Sequence, residues 1–204
     1  MNYKILKTTE KELTISSKAW ENANELKIDN VEWKEVPYCP ETTVKVLAGD
    51  EGLFVKFVTD EEELYMDCTE VNGDVFKDSC VEFFFKPNPD ENDAYFNFEI
   101  NARGTVHIGY GTGRSPLRVR LPEIDPSIFK VETEYPEKGF ILKYFIPYSF
   151  IRERAGGIGE YFMGNFQKCK EKGNTPHFVS WSPIKTPKPD FHRPEYFARI
   201  DIEK

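Results

Sequence analysis

Short runs rich in Val, Ile, Phe, Tyr and Thr, broken by turn-forming stretches, dominate the chain. They predict strands at residues 43–48, 52–58, 79–86, 95–101, 105–108, 129–135, 139–146, 161–166, 178–181 and 196–202. One short helix is expected at residues 148–154, opening after Pro147 and closed by Gly156-Gly157. Many short strands with little helix point to an all-β domain, either a sandwich or a barrel. The reading adopted is a two-sheet antiparallel β-sandwich. No internal repeat, low-complexity tract or linker divides the sequence, so one domain is expected over residues 1–204.

Alternation assigns faces. In 95–101, Phe96, Phe98 and Ile100 point one way while Asn97, Glu99 and Asn101 point the other. The 129–135 run turns Glu132 and Glu134 outward in the same manner. The 79–86 run differs, because Val81, Phe83 and Phe85 alternate with Glu82 and Phe84, leaving the second face partly apolar. The loop Pro87-Asn88-Pro89-Asp90-Glu91-Asn92-Asp93-Ala94 is full of turn formers, so 79–86 and 95–101 are expected to pair as an antiparallel hairpin. Counting back from that loop sets Glu82 opposite Glu99 or Asn101, away from Phe96 and Phe98.

Facing carboxylates on neighbouring strands repel. They persist where water screens them, where a cation sits between them, or where ligand hydroxyls bridge them through charge-assisted hydrogen bonds. Two solvated glutamates on an outer face would give the same pattern. A third reading is enzymatic: retaining glycosidases hold two carboxyl groups about 5–5.5 Å apart, a separation that cross-strand neighbours reach. Catalysis by Glu82 and Glu99 would need one carboxyl kept protonated by an apolar setting and a deep subsite cleft; a flat sheet face supplies neither, so an enzyme is not expected.

Composition narrows the choice of partner. The chain of 204 residues is large enough to bury a core without disulfides or metal clips. Acidic residues outnumber basic ones 35 to 27, and a field of that sign repels phosphate backbones and anionic lipid. Nucleic acid and membrane are therefore not expected as partners, and no apolar run approaches the ~18 residues of a spanning helix. The start, Met1-Asn2-Tyr3-Lys4-Ile5-Leu6-Lys7, lacks the apolar stretch of a secretory signal, so a cytoplasmic location is expected for the chain as given, and secretion only behind a leader. Cys39, Cys68, Cys80 and Cys169 show no paired or zinc-like spacing, and free thiols are expected over two disulfides. Much of the aromatic share of 15% is expected in the core, where Phe fills the space between packed sheets. Tyr and Trp also suit stacking on flat apolar ligand faces, so the count is compatible with sugar binding.

The densest unusual stretch lies in the last third: Gly164-Asn165-Phe166-Gln167-Lys168-Cys169, then His177-Phe178-Val179-Ser180-Trp181-Ser182-Pro183, then Pro187 to Phe197. Its prolines fix loop shape at low entropic cost, as a preorganised site requires. Trp181 ends a strand beside Asn165, Lys168, His177, His192 and Arg193, where an indole would either fill a core corner or stack on a sugar ring. Two histidines without matched Cys or carboxylate spacing give little zinc signal. No Gly-x-Ser-x-Gly elbow supports a serine triad. Gly109-Tyr110-Gly111-Thr112-Gly113-Arg114 opens no helix and reads as a flexible turn, with Tyr110 or Arg114 at the edge of a site. The run Asp60-Glu61-Glu62-Glu63 reads as a solvated loop with some calcium-binding character.

Taken together, these segments resemble the family 9 carbohydrate-binding modules. Asp78-Ser79-Cys80-Val81-Glu82-Phe83-Phe84-Phe85 is similar to the D-S-x-V-E-x-F segment of that family, and Phe98-Glu99-Ile100-Asn101 stands where those modules carry an aromatic-x-I/V-N strand. Gly164-Asn165-Phe166, Ser180-Trp181 and Phe191-His192-Arg193-Pro194-Glu195-Tyr196-Phe197 resemble a bacterial family 9-like subgroup, and the likeness runs from about Trp20 onward. It implies a carbohydrate-binding-module (DOMON-like) sandwich, often stabilised by calcium, that clamps a glucan or xylan chain end between aromatic rings without catalysis. A mono- or oligosaccharide is the implied ligand, and association with glycoside hydrolases in carbohydrate catabolism the implied setting. Carried over by position, Glu82 and Asn101 would accept sugar hydroxyls and Trp181 would form one clamp face. Where the family has a Trp before the D-S-x-V-E segment, this chain offers Phe76, and Glu99 stands where an Arg is common. A related sandwich binding another ligand, such as haem, would need an axial Met or His at a large apolar pocket.

Overall fold

The computed structural model describes residues 1–114, 117–121 and 124–203. Thirteen strands are present among them: β1 (Asn2–Lys7), β2 (Glu25–Lys27), β3 (Thr42–Ala48), β4 (Gly52–Thr59), β5 (Cys80–Lys86), β6 (Tyr95–Asn101) and β7 (Val106–Gly111), followed by β8 (Arg118–Arg120), β9 (Glu132–Glu134), β10 (Phe140–Pro147), β11 (Tyr161–Lys170), β12 (His177–Ser180) and β13 (Ala198–Ile202). Among the described residues a single α-helix, α1 (Tyr148–Ala155), follows Pro147 and ends at Gly156, whose φ of 72° supplies the left-handed cap that side chains disfavour. No helix among the described residues is long and apolar enough to cross a membrane.

The strands run β8-β7-β6-β5-β11-β13-β1-β3-β4-β10-β9, with β12 added beside β11 and β2 beside β3. The turn from one sheet to the other is made within β1. Its residues Asn2 to Ile5 pair in parallel with β13, and Leu6 and Lys7 pair with β3. Two sheets therefore fold against each other as a sandwich, as the pattern predicted. The pairs β5–β6, β6–β7, β3–β4 and β4–β10 are antiparallel.

Between the sheets lies one large apolar cluster. Val81, Phe83, Phe85, Phe96 and Phe98 face Val44, Val46, Val55, Phe57, Leu142 and Tyr144, all fully or nearly fully buried. Phe83 stacks on Phe166 at 4.3 Å between centroids, and Phe98 lies near-parallel to Tyr144 at 6.2 Å. Each such side chain contributes about 1.5–3 kcal/mol by leaving water.

Several expectations are refined. β1 went unpredicted, although its alternation buries Tyr3 and Ile5. The run 129–135 divides into a 3-10 turn at Pro126–Phe129 and the short β9, with Phe129 buried in the core. The glycine-rich segment is no turn at its start, because Gly109, Tyr110 and Gly111 belong to β7 and Tyr110 packs on Phe96 at 4.5 Å. β11 continues to Lys170 because Gln167 to Cys169 gain partners on both sides, β5 and β12, and Lys170 pairs with His177 of β12.

Trp181 belongs to the core. It is 7% exposed and meets Tyr3 and Phe166 at 6.3 and 5.9 Å, so its indole is not offered as a clamp face. Truncating a buried aromatic leaves a cavity in addition to the lost transfer energy. Trp181→Ala is therefore expected to lower unfolding stability by about 3–5 kcal/mol, read by urea denaturation, in line with other core Trp and Phe deletions.

Candidate functional site

β5 is buried on both faces, with Cys80 through Phe85 all inside. Val81, Phe83 and Phe85 enter the intersheet core, so period two sends Cys80, Glu82 and Phe84 to the other face. Register then aligns rows across four strands. Gln167, Glu82, Glu99 and His107 lie side by side on β11, β5, β6 and β7. A second row holds Asn165, Phe84, Asn97 and Gly109. A third places Cys169, Cys80 and Asn101 in line. Of the two expected partners for Glu82, the observed one is Glu99.

Over this polar strip lies a second apolar cluster of Trp33, Val75, Phe84, Tyr95, Ile184, Phe191 and Phe197, joined by Phe76 and Phe178. Between strip and cover opens a cleft of about 550 Å³, within the range of about 300–1,000 Å³ typical of small-molecule sites. Its floor is Glu82, Asn97, Glu99 and His107; Phe76, Phe84, Phe178 and Phe191 supply aromatic wall; Arg114, Glu171, Asp190 and His192 stand at its sides.

Each polar group is held. Asn97 Nδ2 donates to Glu99 Oε1 at 2.7 Å. His107 Nδ1 lies 2.8 Å from the Gly73 carbonyl, which only accepts, so Nδ1 carries the proton and Nε2 is left as the acceptor. Tyr95 Oη meets His192 Nδ1 at 2.9 Å while the His192 ring leans on Phe84 at 4.9 Å. Arg114 donates through Nε and Nη2 to Asp190 Oδ1, and Arg193 Nε sits 2.7 Å from Asp190 Oδ2. Burial is the main force on Glu82. It holds the carboxyl well above the usual carboxylate range, with the Cys169 thiol and Glu99 adding to the effect and Arg114 opposing it. Cys169 Sγ donates to Glu82 Oε1 at 3.1 Å.

The nine residues selected from sequence separate by location. Glu82, Glu99 and His192 line the cleft. Asn165 lies beneath it: Nδ2 donates to the Ser182 carbonyl and Oδ1 accepts from the Ser182 amide, pinning the start of the proline-rich loop. Asn101 is buried with its amide given to Cys68 O and Asp78 Oδ2, so it is a structural link and not a cleft group. Arg193 faces outward and braces Asp190. Lys168 points away from the cleft, its Nζ 2.8 Å from Glu61 Oε2 with both side chains fully buried. Trp181 is core, as described above. His177 is also fully buried away from the cleft, Nδ1 bonded to Thr175 O and the ring against Tyr38.

Asn97, His107, Phe178 and Phe191 were not selected. Asn97 shares the parity of Glu99, which was a usable signal; the others depend on register and on loop packing. Arg114, placed at a site edge from sequence, does line the cleft, whereas Tyr110 faces the core. Trp33 backs the aromatic wall, meeting Phe178 and Phe191 at 6.3 and 6.0 Å.

The acidic run is not a solvated loop throughout. Glu61 is fully buried, accepts from Ser79 Oγ and is shared by Lys168 and Lys170, while Asp60 and Glu62 pair with Lys138. Calcium requires about 6–8 oxygen ligands. With its carboxylates answered by ammonium groups, this run does not fit that ion. All four cysteines are free thiols, as expected.

The model of carbohydrate-binding family 9 matches residues 15–202, and the chain belongs to that family. No curated protein matches the chain. Among solved structures it is similar to a candidate carbohydrate-binding protein from Bacteroides uniformis ATCC 8492, with 26% identity, 99% of each chain covered and a TM-score of 0.85. Two structures of a family 9 carbohydrate-binding module from Caldicellulosiruptor kristjanssonii share the fold. The cellotriose complex has 11% identity, a TM-score of 0.69 and coverage of 100% of this chain and 94% of that one; the glucose complex has 12%, 0.67, and 100% and 96%.

Burial also fixes a pH response. His177 has its pKa pushed down to about 2, chiefly by desolvation and then by the nearby Lys168 charge. Between that value and the ordinary histidine value of 6.5 the unfolded chain binds a proton that the folded one refuses. Stability from this group is therefore full above about pH 6.5 and lost as pH falls below it. His177→Gln should flatten the acid side of the stability-versus-pH curve, measured by denaturant midpoints; an unchanged slope would remove His177 as its source.

Proposed function

We propose that the cleft on the outer face of β5, β6 and β7 binds a neutral saccharide as a non-catalytic recognition site. The observation that carries this reading is the pairing of a buried polar floor with aromatic walls in a chain of carbohydrate-binding family 9. Sugar rings have an apolar C–H face and an edge of hydroxyls. Phe178 and Phe191, stiffened by Trp33, offer flat surface to the first. Glu99, Asn97 and the free Nε2 of His107 answer the second, with Glu82 beside them and Arg114 and His192 at the sides. The floor acidity disfavours anionic ligands. The relatives solved with cellotriose and glucose make gluco-configured sugars the first to test.

The raised Glu82 carboxyl is also what a general acid would need, so the glycosidase reading keeps one supporting observation. Turnover separates the two: incubation with aryl glucosides and xylosides should release no phenol above the buffer rate. Release that vanishes in Glu82→Gln would favour the enzyme.

Titration calorimetry with glucose, cellobiose, cellotriose and xylose is expected to give saturable binding in the micromolar to millimolar range, about −8 to −4 kcal/mol. Glu99→Gln and Phe191→Ala should each weaken it about tenfold or more, corresponding to at least about 1.4 kcal/mol. Trp33, touching the wall, should report binding by fluorescence. No heat with any of these sugars, given folded protein, would reject the reading.

A further inference from the structure

The four cysteines are far apart in sequence, yet the register of β5 and β11 sets Cys80 directly opposite Cys169. Glu82 is on the same face, one pleat from Cys80, and the two sulfurs and a Glu82 carboxylate oxygen lie within 4.8 Å of one another. All three side chains are buried, and Cys169 and Glu82 also line the cleft. We propose that this triad is a binding site for a thiophilic divalent cation of the zinc class, with its fourth position open to the cleft.

The chemistry of the donors selects the ion. Two sulfurs and one oxygen suit zinc or cadmium and are a poor match for calcium or magnesium, which take oxygen. Tetrahedral bonds of ~2.3 Å to sulfur and ~2.0 Å to oxygen place sulfurs ~3.8 Å apart and sulfur and oxygen ~3.5 Å apart. Cys169 Sγ and Glu82 Oε1 now stand at 3.1 Å, so small side-chain movements admit the ion between them. Loading displaces the proton of each thiol and that of the Glu82 carboxyl to solvent, so that all three bind as anions. The fourth corner, on the cleft side, takes a water or a ligand oxygen. Three protein ligands and one open position match the pattern of zinc sites that engage a further ligand.

This site does not depend on the saccharide reading, and it is tested without sugar. The full chain, reduced with a phosphine and stripped with EDTA, is titrated with Cd²⁺ while the ultraviolet thiolate-to-metal band is followed; Zn²⁺ is then added as competitor. One equivalent should bind with that band, and zinc should displace it. Cys80→Ala and Cys169→Ala should each abolish the band, and Glu82→Gln should weaken binding by about tenfold or more. The double variant Cys39→Ala, Cys68→Ala should retain it. Since a buried cysteine variant could misfold, circular dichroism and the Tm in EDTA accompany each, and wild-type alkylation is mapped by mass spectrometry. Zinc should protect Cys80 and Cys169 and leave Cys39 reactive. Absence of the band in wild type, its survival in Cys169→Ala, or protection confined to Cys39 and Cys68 would overturn the proposal. Any of these would leave the sugar titrations untouched.

Discussion

Burial of β5 on both faces is the constraint from which the rest follows. An antiparallel strand usually keeps one face wet, and its alternation then reads apolar in and polar out. Here Cys80 to Phe85 have no wet face, because the segment from Ser182 to Phe197 crosses over the side that the second sheet does not cover. Glu82 is therefore buried without choice, as are Asn97 and Glu99 beside it. Buried polar groups must find partners or lose several kcal/mol. The Asn97–Glu99 bond, the Cys169–Glu82 bond and the His107–Gly73 bond are responses to that demand. The same polar groups line the cleft, which is the condition for a recognition site.

The cover needs its own anchors, since a loop laid over a sheet carries backbone groups that must be paired. Asn165 answers the first of them with a reciprocal pair of bonds to Ser182. Trp33 Nε1 donates to the Thr186 carbonyl, and Tyr196 Oη donates to that of Lys185. At the far end Asp190 gathers Arg114 from the β7–β8 connection, Arg193 from its own segment and the His192 amide. That last clasp is largely exposed, so its ion pairs contribute little to stability. Their effect is geometric: they hold Phe191 and His192 over the floor.

Legibility in the sequence followed parity and distance. The β5–β6 hairpin was readable because a turn-rich loop joins two runs whose alternation is unbroken. That gave the core face, the shared parity of Glu82 and Glu99, and a register narrowed to Glu99 or Asn101 as the partner of Glu82, of which Glu99 is the one observed. The last third was harder. Asn165, Lys168, His177 and Trp181 all sit near one another along the chain, but adjacent strand positions face opposite ways. On β11, Phe166, Lys168 and Lys170 share a parity with the core side, and Asn165, Gln167 and Cys169 share the other. Grouping polar residues by proximity mixed the two faces. Trp181 was misplaced because a Trp at a strand end fits a core corner and a binding wall equally well, and Tyr3, the ring that settles it, lies at the opposite terminus. Phe76, offered in the sequence by the family resemblance alone, does line the cleft, and Trp33 backs its wall through long-range packing that no local pattern encodes.

The buried ions on the inner side of β11 explain why its outer side is so well placed. Lys168 and Lys170 both turn inward to Glu61, with all three side chains inaccessible to water. A buried ion pair adds little net stability against apolar replacements, yet removing one partner leaves an uncompensated charge. The arrangement thus penalises any slip of β11 by one residue, which would carry both ammonium groups to the cleft and strand Glu61 alone. Register fixed in this way keeps Gln167 beside Glu82 and Cys169 opposite Cys80. The acidic run after β4, through Glu61, thereby sets the position of groups in the cleft on the other face of the sheet.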